Sequence, residues 1–440
     1  MIEVGTQNLN ARSLTPTYEV TPGEGVGIFQ LGDNLWHALE LIRTHKTEYP
    51  KVEVSWDVDS PHKSATTIHL PHLTLYFPPS PIYQLLSLIT ITLPSPSSNS
   101  SSSISPANQL ELSYETEILS SAHMPLTRAR VGRLMGPTFL DKAGDKLDFP
   151  GITFILHSDN LGDAGFGPRE DVVHRIMVKP GEDEELQARL ISCVIQPNKG
   201  ITLALDEDHI LPITIGETTS QDLLLDLGAP LRKFWKEDDR LEKMWGGDPH
   251  KENGKGACFW NYFQYGLDFL VSKDGIVIKI LCHSNIPGTP LFQRYARCPW
   301  ILPISSGNLD MTSPLRSFRS NLSKSEKSQE YVVEVRLSVP PANPPSGGKK
   351  KKRGGSPNTN NSSENESNSA TKGRDDRKEE DEQGDAMILD RLVEGGLEGV
   401  SNLGPSKLVG FDGLIIEQDE KSGGICSVLV YRDDTKTQNL

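Results

Sequence analysis

Apolar residues along this chain fall into two rhythms, a helical period near 3.6 and a strand period of two. Leu31–Arg43 opens the first helical stretch: Leu35, Leu39 and Ile42 share one face, and Asp33 or Asn34 can cap it. Val52–Trp56, Thr67–Phe77 and Ile82–Leu93 then read as strands of a meander. Arg128–Met135 predicts a short second helix ending in Met135-Gly136-Pro137, and Phe149–Leu156 predicts a strand. Ile201–Leu205 and Ile210–Ile215 predict strands ahead of a third helix, which Thr219 or Ser220 caps and Gly228 stops, with Pro230 just beyond. Tyr262–Val271 and Ile276–His283 read as a hairpin turning at Lys273–Gly275. Met387–Leu392 is a possible fourth helix, and Leu414–Glu417 and Cys426–Tyr431 form a last strand pair.

A phrase recurs in these elements: helix, Gly-Pro or nearly so, variable loop, strand, turn, strand. Its spacing is irregular, so a solenoid of short repeats is excluded. Two readings stand: up to four related units, or merely a common way of ending helices. The expected fold class is α+β, with up to four units of helix plus antiparallel β-meander and two disordered inserts. The expected boundaries are 1–93, 108–200, 201–340 and 386–440. Between them lie a Ser-rich loop at 94–107 and a mixed-charge insert at 341–385, neither able to bury enough apolar surface to order itself.

Charge narrows the function classes. The formal net charge of the 440 residues is −14, and the 341–385 insert is neutral, with nine Lys/Arg and nine Asp/Glu. An acidic chain repels phosphate backbones, which argues against nucleic acid and against unaided binding to anionic membranes. The N-terminus lacks the basic-then-apolar pattern of a signal peptide, and Ile82–Leu93 is too short to span a bilayer. The five cysteines, Cys193, Cys258, Cys282, Cys298 and Cys426, are odd in number and scattered, so reduced thiols in the cytoplasm are expected.

Candidate chemistry is sparse. Gly23–Gly27 has the wrong spacing for a dinucleotide loop, and Gly347–Arg353 lacks the P-loop pattern. The Lys349–Arg353 run is a solvated charge run, or else a nuclear localisation patch or a contact for anionic lipid. His62, His69 and His72 cluster without the cysteines or carboxylates that would complete a zinc set. Cys282 and His283 are neighbours on a strand and face opposite ways, so they form no nucleophile–base pair by themselves. No catalytic residue, cofactor site or metal ligand is expected.

The most informative stretch runs from Cys258 to Trp300. It contains Asn261-Tyr262-Phe263, Gly266-Leu267-Asp268, His283-x-Asn285-x-Pro287-Gly288 and Tyr295-x-Arg297-Cys298. This block resembles the phagosome assembly factor family, once described as LIN-ten-related. The resemblance extends to Ile215–Pro230, Phe234–Asp239, Leu31–Leu39 and Phe149–Phe154. The two inserts depart from the compact family pattern and suggest a fungal-type expansion. The resemblance implies a non-catalytic adaptor of autophagy, recruited from the cytoplasm to the pre-autophagosomal structure. It also implies a WD-repeat β-propeller partner that recognises phosphoinositides; older descriptions place relatives at the Golgi, in vesicle transport.

Alternation along Asn261–Val271 places Asn261, Phe263, Tyr265, Leu267 and Phe269 on one face, expected to be core. Asn261, Phe263, Gly266, Asp268, His283, Asn285, Pro287, Gly288 and Cys298 are expected to be structural. Gly266 suits a close backbone approach, and Asn285 a turn in which it bonds its own backbone. Tyr262, Tyr295, Arg297 and Trp300 are the expected partner interface, because Tyr, Trp and Arg anchor interfaces. The alternative is a small-ligand protein or enzyme with a cleft beside Cys282-His283.

Overall fold

Strands dominate, and the four helices found among the described residues are short. The computed structural model describes residues 17–94, 110–121, 123–141, 144–156, 171–181, 186–235, 257–289, 291–322, 332–335 and 406–433. The Met387–Leu392 helix, the Lys349–Arg353 run and almost all of both expected inserts lie outside these residues. No helix among the described residues is long and apolar enough to cross a membrane.

The first half begins with β1 (Thr17–Thr21), β2 (Gly25–Val26) and β3 (Phe29–Gln30), followed by helix α1 (Leu35–Thr44). An antiparallel meander comes next: β4 (Glu53–Ser55), β5 (Thr66–His69), β6 (Leu73–Phe77) and β7 (Leu88–Thr92). The chain then returns to both sheets. Strand β8 (Glu111–Tyr114) lies parallel to β1 and pairs with β9 (Glu117–Ser120). After α2 (Arg128–Leu134), β10 (Lys146–Phe149), β11 (Ile152–Leu156) and β12 (Val173–Val178) extend the meander through β12 on β7.

The second half repeats this order. Strands β13 (Ser192–Gln196), β14 (Gly200–Ala204) and β15 (Ile210–Thr214) precede α3 (Ser220–Asp226). The meander follows as β16 (Arg232–Trp235), β17 (Cys258–Tyr262), β18 (Leu267–Val271) and β19 (Val277–His283). Strand β20 (Trp300–Ile304) returns parallel to β13 and pairs with β21 (Gly307–Leu309). After α4 (Leu315–Leu322) come β22 (Val332–Val335), β23 (Ser406–Phe411), β24 (Leu414–Asp419) and β25 (Ile425–Tyr431), joined to the meander through β25 on β19. The sequence of strands, helix and further strands thus occurs four times, and the units pair two by two into four sheets.

Local chemistry sets the helix starts. Asn34 rather than Asp33 caps α1, its side chain accepting from His37 N. Thr127 caps α2. Thr219 and Asp222 form a reciprocal capping box on α3. Three expectations need correction. The Thr67–Phe77 stretch is two strands, because the chain turns at Leu70-Pro71-His72-Leu73, where Leu70 N donates to Leu73 O. The strand expected over Ile82–Leu93 is confined to Leu88–Thr92. Tyr262–Val271 is no single strand, because a 3₁₀ turn at Phe263–Tyr265 separates β17 from β18. Helix α4 was not predicted, and it places strands of the last unit on both sides of the 341–385 segment.

Each half has its own apolar core, and Phe292 of the second half is buried in the core of the first. Around Phe292 the halves form a polar seam. Asn285 Nδ2 donates to Gln84 Oε1 at 2.8 Å, and Gln84 Nε2 donates to Asn285 O at 3.2 Å. Arg43 donates to Gln293 O at 2.7 Å, Tyr83 OH donates to Ile191 O at 2.6 Å, and Trp56 packs on Phe292 at 5.8 Å between centroids.

His62 is buried at this seam, close to Gly424 and Ile286, and its Nδ1 has no hydrogen-bond partner among the described residues. Burial pushes its pKa down, helped by Lys63 and Arg297 and opposed by Asp419. The unfolded chain therefore takes up this proton at higher pH, near the ordinary value of about 6.5. Stability should fall as pH drops from about 6.5 toward the lower folded pKa. We expect urea unfolding across this window to show a shallower acid-side loss for His62→Leu than for the parent; equal slopes would refute the assignment.

Candidate functional site

Asp268 lies on β18 and is only 4% exposed. Its carboxylate would be costly there without donors. Three side chains supply them: Asn261 Nδ2 at 2.7 Å to Oδ1, and Tyr295 OH at 2.8 Å and His283 Nε2 at 2.9 Å to Oδ2. The His283 ring stacks on Tyr295 at 3.7 Å between centroids. Strand pairing sets these positions, since Asn261 of β17 faces Asp268 of β18 directly across the ladder.

The backbone closes the knot. Gly266 is left-handed at φ 68°, and a Cβ there would sit 2.3 Å from Ala296 O and 2.8 Å from Cys298 N. Ala296 N donates to Phe263 O, Cys298 N to His283 O, and His283 N to Gly266 O. The strap from Phe292 to Cys298 is thus laced over the β17–β18 turn. Burial and the Asp268 carboxylate push the Tyr295 phenol well up, so it stays a donor.

The structure places every motif residue in or beside this knot or the seam. Asn261, Gly266, Asp268, His283, Pro287 and Cys298 are buried, and Phe263 packs edge-on against Tyr295 at 5.0 Å. Gly288, at φ 83°, lies beside Trp56 of the first half. Asn285 does not bond its own backbone locally; at φ 46° its side chain accepts from Gln293 N and reaches Gln84. Sequence reasoning missed Gln84, Tyr83 and Phe292, which carry no motif and gain meaning only by facing the other half.

The four residues expected at a partner surface are not on one. Tyr262 is fully buried and donates to Gly228 O at 2.9 Å behind α3. Tyr295 belongs to the knot, and Trp300 is buried with Nε1 donating to Ser284 Oγ at 3.0 Å. Arg297 is half-buried and donates to the carbonyls of Ser284 and Ser80, spanning the seam. Their amphipathic chemistry serves internal packing, because each polar tip meets a buried acceptor.

A cleft opens at the seam, lined in part by Asp33, His37, Tyr83, Arg189, Gln264 and Arg297. Burial raises the Asp33 pKa, partly offset by the Gln30 N–H that donates to its carboxylate. The cleft holds about 50 Å³. That accommodates a water or two, whereas small-molecule sites occupy roughly 300–1,000 Å³. Exposed apolar side chains concentrate elsewhere: Leu224, Leu225, Leu231, Phe234 and Trp235 come from one stretch covering α3 and the edge strand β16.

Fold and knot together define a β-rich protein of paired αβ units whose most distinctive polar cluster is internal. A family model described as "Phagosome assembly factor 1" matches residues 25–172 and 169–431, and the chain belongs to that family. A PHAF1 protein of Arabidopsis thaliana is 24% identical over 319 residues, 65% of this chain and 74% of the relative. A Caenorhabditis elegans PHAF1 protein is 25% identical over 328 residues, 61% of this chain and 73% of the relative. A Drosophila melanogaster PHAF1 protein is 32% identical over 81 residues, 18% of each chain. No solved structure matches.

Three substitutions test the knot by chemical denaturation. Asp268→Ala leaves three buried donors unpaired and should cost about 3–5 kcal/mol, and Tyr295→Phe about 1.5–3 kcal/mol. Gly266→Ala forces a left-handed alanine into a backbone contact and should cost more than about 2 kcal/mol. Gly132→Ala, in α2 with open space around it, should instead stabilise by up to about 1 kcal/mol.

Proposed function

We propose that this chain is a non-catalytic adaptor in phagosome assembly, acting at the pre-autophagosomal membrane with a WD-repeat β-propeller partner that recognises phosphoinositides. Family membership carries this reading. The geometry supports it by what it does with reactive groups. Asp268, His283 and Tyr295 would suit acid–base chemistry in an open site, but here they satisfy one another in the interior. The seam cleft is too small for a metabolite.

The partner, rather than the chain itself, supplies the membrane contact, since a net charge of −14 opposes anionic lipid. Its docking surface is the stretch from Leu224 to Trp235. Leu225 is 84% exposed and Leu231 56% exposed, far beyond what a core-facing helix or strand would show. Strand β16 is the edge of the eight-stranded sheet, so an extended segment of the partner can add to it. Arg232 and Lys233 give this edge a basic character within an acidic chain, which fits an apolar segment carrying acidic residues.

Co-purification of the tagged full-length chain tests both statements. A WD-repeat protein should be recovered with the parent and lost with Leu225→Asp/Leu231→Asp. Recovery of no WD-repeat protein by the folded parent would overturn the function; equal recovery by the folded double variant would overturn the surface.

A further inference from the structure

Three of the five cysteines, separated in sequence, meet in space. The sulfurs of Cys193, Cys282 and Cys298 all lie within 4.8 Å of one another, and Cys193 and Cys282 are 4.0 Å apart. All three residues are buried, none more than 2% exposed. Each comes from a different piece of the second half: Cys193 from β13, Cys282 from β19 and Cys298 from the strap ahead of β20.

We propose that these three thiols form a closed, three-coordinate site for a soft metal ion, copper(I). An ion at the centre of a sulfur triangle with sides of about 4 Å sits ~2.3 Å from each corner, the length of a metal–thiolate bond. No edge exceeds 4.8 Å, so reaching the 4.0 Å of the Cys193–Cys282 edge takes at most 0.8 Å of closure. Backbone bonds hold the corners: Cys193 N donates to Pro299 O at 3.1 Å, and Cys298 N to His283 O at 2.9 Å. Cys282 is paired on both sides, with Leu267 of β18 and Val428 of β25. Ligands on paired strands are preorganised as a site requires.

The donor set selects the ion. Three thiolates favour soft cations over magnesium, calcium or manganese. Among the described residues no further His, Cys, Asp or Glu joins the cluster to complete a tetrahedron, which a structural zinc site demands. Copper(I) is satisfied by three sulfurs. Binding is ligation alone: copper enters as Cu⁺, the S–H protons leave to solvent, and no electron is transferred. Because the triangle is sealed between two sheets, the ion enters as the chain folds.

The full-length protein, unfolded under reducing conditions and refolded with Cu(I) supplied as its acetonitrile complex, tests this. After gel filtration the parent should retain one copper per chain, with a copper–sulfur distance near ~2.3 Å by X-ray absorption. Its thermal midpoint should exceed that of protein refolded without metal. Cys282→Ser and Cys298→Ser, checked for folding by circular dichroism, should lose copper retention by about tenfold or more. Cys426→Ser, outside the triangle, should keep it. A parent that refolds but elutes without copper overturns the proposal whatever the variants do. Copper retained equally by the folded serine variants, or zinc bound in place of copper, overturns it as well.

Discussion

The second half of this protein is organised around one buried carboxylate. Asp268 sits where strands β17, β18 and β19 run side by side, and a charge there is tolerable only with its full set of donors. Asn261 reaches it from one neighbouring strand and His283 from the other, while Tyr295 comes from the strap that follows. The strap cannot leave without unpairing Tyr295. Because the strap also carries Phe292 and Arg297 to the first half, the demand of one carboxylate fixes how the two halves meet.

The seam follows from this in physical steps. Left-handed backbone at Asn285, Gly288 and Gln293 turns the chain away from β19 and back toward β20. That detour exposes polar backbone groups, and buried polar groups need partners. The first half supplies them through Gln84 and Arg43, and Ser80 O accepts from the Arg297 side chain. Apolar contact through Trp56 and Phe292 then covers the polar pairs and strengthens them by excluding water.

Much of the local structure was legible in the sequence. Caps at Asn34 and Thr219 and the Gly275 turn follow short-range rules, and the structure obeys them. Among the described residues four sets of strands and helix follow one order, but the last takes its helix from Leu315–Leu322 and starts at Trp300, whereas the fourth instance expected at Met387–Leu392 lies outside the described residues. What was not legible depends on distance. Two-residue alternation through Tyr262–Val271 cannot register a three-residue turn: Leu267 and Phe269 are in the core as expected, but Asn261 lies on the Asp268 face, Tyr262 takes its place in the core, and Phe263 and Tyr265 sit in the turn. Helix α4 was invisible because Leu315 and Phe318 are its only buried apolar residues. The seam partners were unreadable because Gln84 and Arg43 look like ordinary surface residues until the other half is set against them. The three thiols were scattered in sequence, and only pairing of separate strands brings them together.

The most specific residue pattern in the chain therefore marks where the fold is most constrained. Tyr, Trp and Arg are enriched at interfaces because they present an apolar body and a polar tip. An interior seam between two halves asks for the same chemistry, and composition alone cannot separate the two. Burial separates them: Trp300 gives its indole N–H to Ser284, and Tyr262 gives its hydroxyl to the end of α3. Strand β19 shows how densely this region is used. His283 bonds Asp268, while Cys282, the preceding residue on the same strand, faces the opposite way into the sulfur triangle. One strand thus supports a polar knot on one side and a thiol cluster on the other. A substitution that shifted its register by one residue would exchange the two faces and lose both.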